Sequence, residues 1–152
     1  LVMNDIHETY NRLEETYLEI TKQYLQVSES TVDQRLFQHT GIYAFFGAVL
    51  AHAKQKMDEA SNNLDREEAT TREFRRSELL EEGKKATDRA LDGYVKTVPS
   101  VQQSQTTQIE CAHSYHLAKN IINSLDHQKD MLVQISANKR AESKLINDSF
   151  GG

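Results

Sequence analysis

Apolar side chains recur in alternating steps of four and three along most of this chain, and that spacing constrains its fold more than any other feature. From Val32 the ladder runs through Leu36, His39, Tyr43, Phe46, Leu50, Ala53, Met57, Ala60, Leu64, Glu67, Thr71 and Phe74. A period of 3.5 residues held for about six heptads keeps one seam of a helix turned toward a partner helix. An earlier segment repeats the pattern with Ile6, Tyr10, Leu13, Tyr17, Ile20, Tyr24 and Val27. A later one repeats it with Ala118, Ile121, Leu125, Gln128, Leu132, Ile135, Lys139, Glu142 and Ile146. At 1.5 Å per residue the central seam alone would be about 63 Å long. The expected fold is all-α: about four long, coiled-coil-like helices in a hairpin or bundle, assembled as an oligomer. One elongated domain over residues 1–152 is expected. The heptads leave open whether the seams close within one chain or between chains.

Composition agrees where it bears on this choice. Pro occurs once, Gly six times and Trp never, which favours helix over sheet. The net charge of −5 supplies no overall attraction to nucleic acid or to acidic membranes, though it leaves room for a local basic site. The single cysteine, Cys111, excludes an internal disulfide framework and suits a reducing compartment. No apolar run approaches the length of a membrane span, and no signal peptide or lipidation motif is present. A soluble, cytoplasmic chain without membrane contact is the expectation. Leu1 and Val2 precede Met3, which would be a natural start.

The expected helices cover about 4–27, 30–82, 88–96 and 99–147. The first ends in the polar stretch Ser28-Glu29-Ser30-Thr31, and Ser30 with Asp33 fits a capping box opening the second. Gly41 and Gly47 weaken the second helix, by up to about 1 kcal/mol each where exposed, and small residues there would let a neighbour approach closely. Gly83 ends it. Thr87 is a plausible N-cap for the short third helix, and Pro99 suits the first turn of the fourth.

Charge is spread unevenly over this plan. Residues 1–53 carry three basic and seven acidic side chains, residues 54–90 nine and ten, and residues 91–152 six of each. The basic concentration comprises Lys54, Lys56, Arg66, Arg72, Arg75, Arg76, Lys84, Lys85 and Arg89. One reading is the solvated flank of a coiled coil, where such charges set partner and register. The other is phosphate contact, since a ring of identical chains would repeat each cation around one rim. Phe74 beside Arg72, Arg75 and Arg76 offers a stacking surface for a base, yet it continues the heptad and is expected in the core.

Catalytic and metal signals are sparse. Glu110, His113 and His116 recur every three residues beside Cys111, and a Glu-x-x-His step is what di-iron bundles use. A second such step is missing and Cys111 has no partner for zinc, so no metal and no cofactor is expected. His39 on the seam reads as a register-setting polar residue. No phosphate-binding glycine loop and no nucleophile elbow occurs. The adjacent acidic pairs Glu14-Glu15, Glu67-Glu68 and Glu81-Glu82 diverge on a helix instead of converging. An enzyme is not expected.

The order of parts also resembles a known family. A tyrosine-rich opening helix leads into a long helix bearing Ile42-Tyr43-Ala44-Phe45-Phe46. A charged segment follows, from Ala53-Lys54-Gln55-Lys56 to Phe74-Arg75-Arg76. The link from Lys84-Lys85-Ala86-Thr87 to Val98-Pro99 then precedes a closing amphipathic helix through Gln134-Ile135-Ser136-Ala137. This layout resembles the UvsY-like recombination mediator proteins of T-even-type phages: small all-helical chains that form rings, bind single-stranded DNA and help a recombinase displace a single-strand-binding protein.

The resemblance implies a non-enzymatic homo-oligomer acting in DNA recombination and repair in the host cytoplasm. Its partners would be single-stranded DNA, a recombinase and a single-strand-binding protein. It implies DNA contacts at Arg72, Arg75 and Arg76, with Lys54 and Lys56 as weaker candidates. It implies an oligomer interface at Ile121, Leu125, Leu132 and Ile135. The chain departs from the family in being acidic, with Glu67, Glu68, Glu73 and Glu78 interleaved among the arginines. The alternative from another class is a structural or adaptor coiled coil (scaffold, chaperone or inhibitor) that binds only protein partners.

Overall fold

The computed structural model describes residues 5–151 and contains no strand among them. Helices α1 (Ile6–Asn11), α2 (Leu13–Ile20), α3 (Val32–Glu81), α4 (Asp88–Val95) and α5 (Pro99–Phe150) make up nearly all of it. Leu1, Val2 and Met3, and the expected helix start at about Asn4, lie outside the described residues. Where one domain is expected from length, the chain divides into two compact units: residues up to His52 together with those from His116 on, and residues Ala53 to Tyr115.

In the first unit the opening segment is not one continuous α-helix. Asp5 starts it, its carboxylate accepting from the amides of His7 (2.7 Å) and Glu8 (3.0 Å). Those two amide bonds, that of Glu8 foremost, hold the Asp5 carboxyl below its ordinary range. A break follows at Arg12, between α1 and α2. The last turn, Thr21–Leu25, widens into a π-helical turn before Gln26 turns extended. Threonine hydroxyls accompany this irregularity. Thr9, Thr16 and Thr21 each donate a hydroxyl to the carbonyl four residues back, at 2.8, 2.8 and 2.9 Å, a contact that bends helices.

Two carbonyls where the π turn ends accept side-chain donors from other helices. Gln128 of α5 donates to the Tyr24 carbonyl at 2.6 Å, and Arg35 of α3 donates to the Gln23 carbonyl. Leu13 and Ile20 of α2, Val32, Phe46 and Val49 of α3, and Ala118, Ile121, Leu125 and Leu132 of α5 form the buried core of this unit. Removing each large aliphatic or aromatic side chain from water contributes about 1.5–3 kcal/mol. Tyr24 meets Phe46 edge to face at 5.9 Å. Asp126 of α5 raises the Tyr43 phenol above its ordinary value by its charge, with burial adding to it.

The start of α3 differs from expectation. A 3₁₀ turn over Glu29–Thr31 leads into it, and the Ser30 hydroxyl meets the Ser28 hydroxyl at 3.1 Å instead of forming a capping box with Asp33. Gly41 and Gly47 sit inside α3, and a Cβ built on either would meet nothing within 4 Å. Neither glycine serves a close helix approach within the chain.

The second unit is built on the end of α3, on α4 and on the start of α5. Gly83, with φ +70°, closes α3 in a left-handed turn: its amide bonds the Leu80 carbonyl at 3.0 Å and the Lys84 amide bonds the Leu79 carbonyl at 2.8 Å. That pair of hydrogen bonds, with glycine in the left-handed conformation, is how helices commonly stop. Thr87 caps α4 through the Ala90 amide at 3.3 Å, and Pro99 opens α5. The buried apolar residues of this unit are Ala53, Ala60, Leu79, Leu91, Val95 and Val101.

Phe74 corrects an expectation: it is 60% exposed, while Leu79 is buried and Arg75 is half-buried. The reason is helical phase. A straight α-helix drifts about 20° per heptad from a 3.5-residue repeat. Counted from Ala53 at about 100° per residue, Phe74 falls about 60° to one side and the buried Leu79 about 80° to the other, so the buried face has turned away from Phe74.

Candidate functional site

The stretch of α3 that carries most of the basic side chains is the one expected to bind phosphate, and its geometry is that of a clamp between helices. Arg72 reaches from α3 to α4, where its guanidinium contacts Asp92 and lies 3.7 Å from Asp88. Asp88 and Asp92 stand four residues apart on α4, so one helical face presents both carboxylates to the same arginine. Arg75 is ion-paired with Glu78 at 3.1 Å, and its guanidinium lies over the Tyr94 ring, 4.9 Å from the centroid. That is a cation–π contact from α3 to α4. Arg76 pairs with Glu73 at 2.7 Å, Lys54 with Asp58 at 3.1 Å and Lys56 with Glu59 at 3.5 Å.

All five cations expected to hold DNA therefore have carboxylate partners. The cleft beside Arg72, about 530 Å³, has three carboxylates in its lining, those of Asp65, Glu68 and Asp92. The unit as a whole, Ala53 to Tyr115, carries ten basic and twelve acidic side chains, a net of −2. Lys84 pairs with Glu82 at 2.7 Å, and that bond holds the Glu82 carboxyl below its usual range.

Of the four residues expected at an oligomer interface, Ile121, Leu125 and Leu132 are fully buried in the core of the first unit, and Ile135 is half-buried. The surface of the first three is covered within one chain. The accessible apolar side chains of α5 are Ile109, Met131, Val133, Leu145, Ile146 and Phe150. Residues 137–151 are exposed without interruption, although Lys139 still donates to the Glu29 carbonyl at 3.3 Å.

Among the described residues no group of three or more His, Cys, Asp or Glu side chains converges as a metal site, so Glu110, His113 and His116 do not assemble with Cys111 into one. No described helix is long and apolar enough to cross a membrane. Three features have no signal in the sequence pattern: the Arg72–Asp92 clamp, the Gln128–Tyr24 bond and the contact of His7 with His52 across 45 positions. Each partner of such a pair is legible as polar and helical, but nothing in a periodic pattern says which distant residue it meets. Comparison with protein-family models, with curated proteins and with solved structures gives no match for this chain.

Proposed function

We propose that this is a non-enzymatic helical assembly protein that binds protein, and a second copy of itself first, through the outer face of α5. The observation that carries this reading is the uncovered end of that helix. Val133, Ala137, Ala141 and Leu145 form an exposed ridge at four-residue spacing, and Ile146 and Phe150 continue the apolar surface to the helix end. Ridges of this spacing interdigitate in the commonest class of helix packing, and small residues in the middle let two backbones approach. The flanking charges are mixed, with Lys139, Arg140 and Lys144 against Glu142 and Asp148, so a second copy is not repelled. An uncovered segment of about 14 residues is marginal as an isolated helix in water, and association would supply the missing cover.

The test is the solution mass by light scattering. The intact chain is expected as an oligomer, and Leu145→Glu, Ile146→Glu and Phe150→Glu together are expected to give a monomer of unchanged helical content. A monomeric intact chain would overturn self-assembly.

Recombination mediation stands as the second reading, favoured by the grouping of Arg72, Arg75 and Arg76, whose side chains stay 37%, 30% and 41% exposed. Exposed ion pairs are weak, about 0.2–1 kcal/mol each, so phosphates could displace their carboxylates. The interleaved acids would oppose this and leave the local charge near zero. A fluorescence-anisotropy titration with a single-stranded oligonucleotide at low and moderate salt separates the readings. Salt-sensitive binding abolished by changing the three arginines to Ala would favour the mediator, and absence of binding at low salt would leave the protein-binding reading.

A further inference from the structure

His7 and His52 bring two metal-ligating side chains together, and the proposed function leaves that pair unused. Nδ1 of His7 and Nε2 of His52 are 3.4 Å apart. Two imidazole nitrogens bound to one tetrahedral zinc ion, each about 2.0–2.1 Å from it, are themselves about 3.3–3.4 Å apart. The separation already present is thus the bite of a two-histidine site. The rings meet edge to face, with centroids 4.5 Å apart and planes at 88°. Tyr10 packs against His52 with ring centroids 4.9 Å apart and planes at 88°. On the other side, the Asp5 carboxylate fixes the backbone of His7 through the His7 amide at 2.7 Å.

We infer that His7 and His52 form a binding site for a borderline divalent metal ion, zinc or its neighbours copper and nickel, that ties α1 to α3. Imidazole donors select these ions over magnesium or calcium, which take oxygen ligands. The protein supplies two ligands, and the remaining positions are open to water or to a donor from a partner. An ion held this way exchanges readily. Because the two histidines are 45 residues apart, binding crosslinks the opening segment to the long helix and stabilises the first unit by mass action. Without metal the same two nitrogens share one N–H···N hydrogen bond.

The experiment is calorimetric titration of the full chain with zinc chloride, with the thermal midpoint followed in parallel. His7→Ala, His52→Ala and a double His113→Ala, His116→Ala variant are measured beside it, with helical content confirming that each is folded. One zinc per chain is expected, with a raised midpoint, at least tenfold weaker binding in either single variant, and unchanged binding in the double variant. His7→Gln keeps a hydrogen-bonding side chain but not an imidazole, and should lose binding equally. No heat and no midpoint shift at about 1 mM zinc, a concentration at which a Kd of 10 μM would shift stability by about 2.7 kcal/mol, would show a hydrogen-bonded pair only. Undiminished binding in His7→Ala and His52→Ala would place the metal elsewhere. Either result overturns the site, and neither bears on self-assembly through α5.

Discussion

The two compact units are made of the same material, amphipathic helix, and are held together by different means. The first has a core of Leu, Ile, Val and Phe side chains with almost no exposed surface, plus a few buried polar groups, Thr9, Thr16, Gln128 and Ser136. The second buries Leu79, Leu91, Val95 and Val101 with two alanines, and across its α3–α4 contact it uses Arg72 on Asp88 and Asp92 and Arg75 on Tyr94. Apolar burial is dependable per residue, whereas exposed ion pairs contribute little each and weaken with salt. A dense basic stretch in a helical protein can therefore be ion-paired within its own unit while adding little to stability. It need not be a phosphate track.

This contrast can be broken most sharply in the first unit. Leu125→Ala leaves a cavity in its core and should cost about 2–5 kcal/mol, read as a large loss of midpoint in urea. Gln128→Ala removes the donor to the part-buried Tyr24 carbonyl, so about 0.5–1.5 kcal/mol should be lost. Arg72→Ala tests the other mode of fastening. It should cost only about 0.2–1 kcal/mol, less in high salt, and a double-mutant cycle with Asp92→Ala should show coupling between them. A loss above that of Gln128→Ala would mean that the clamp dominates its unit. The smallest effect should come from Gly41→Ala: the site is open, so helix propensity alone should stabilise by up to about 1 kcal/mol. A loss in stability there would point to a close contact between copies at that glycine.

The helices are legible in the sequence because their ends are written in local chemistry. Gly83 suits a left-handed turn, Thr87 has a hydroxyl to cap with and Pro99 cannot continue an incoming helix, and all three act in those roles. The late seam is legible as far as Leu132, since Ala118, Ile121, Leu125, Gln128 and Leu132 are all buried, whereas its last members Lys139, Glu142 and Ile146 are exposed. What the period cannot reveal is who covers a seam: Ile121, Leu125 and Leu132 pack within their own chain, and the face left over is the one offset from them. Nor can a repeat of 3.5 residues stay in phase with a straight helix as far as Phe74. The break at Arg12 and the π turn at Thr21–Leu25 leave no mark in the apolar patterning, and the hydroxyl-to-carbonyl bonds beside them recur at Thr106 and Thr107 inside the unbroken α5. Of the candidate site, the cations are legible and the carboxylate partners on α4 are not, because that pairing requires knowing how α4 folds back on α3.

If another copy completes the exposed end of α5, amide hydrogen exchange across residues 137–150 depends on protein concentration. Weak protection is expected in dilute protein, rising with concentration, while the amides of the buried Ile121 and Leu125 stay strongly protected at both. Protection of 137–150 that does not change with concentration would contradict completion by another copy.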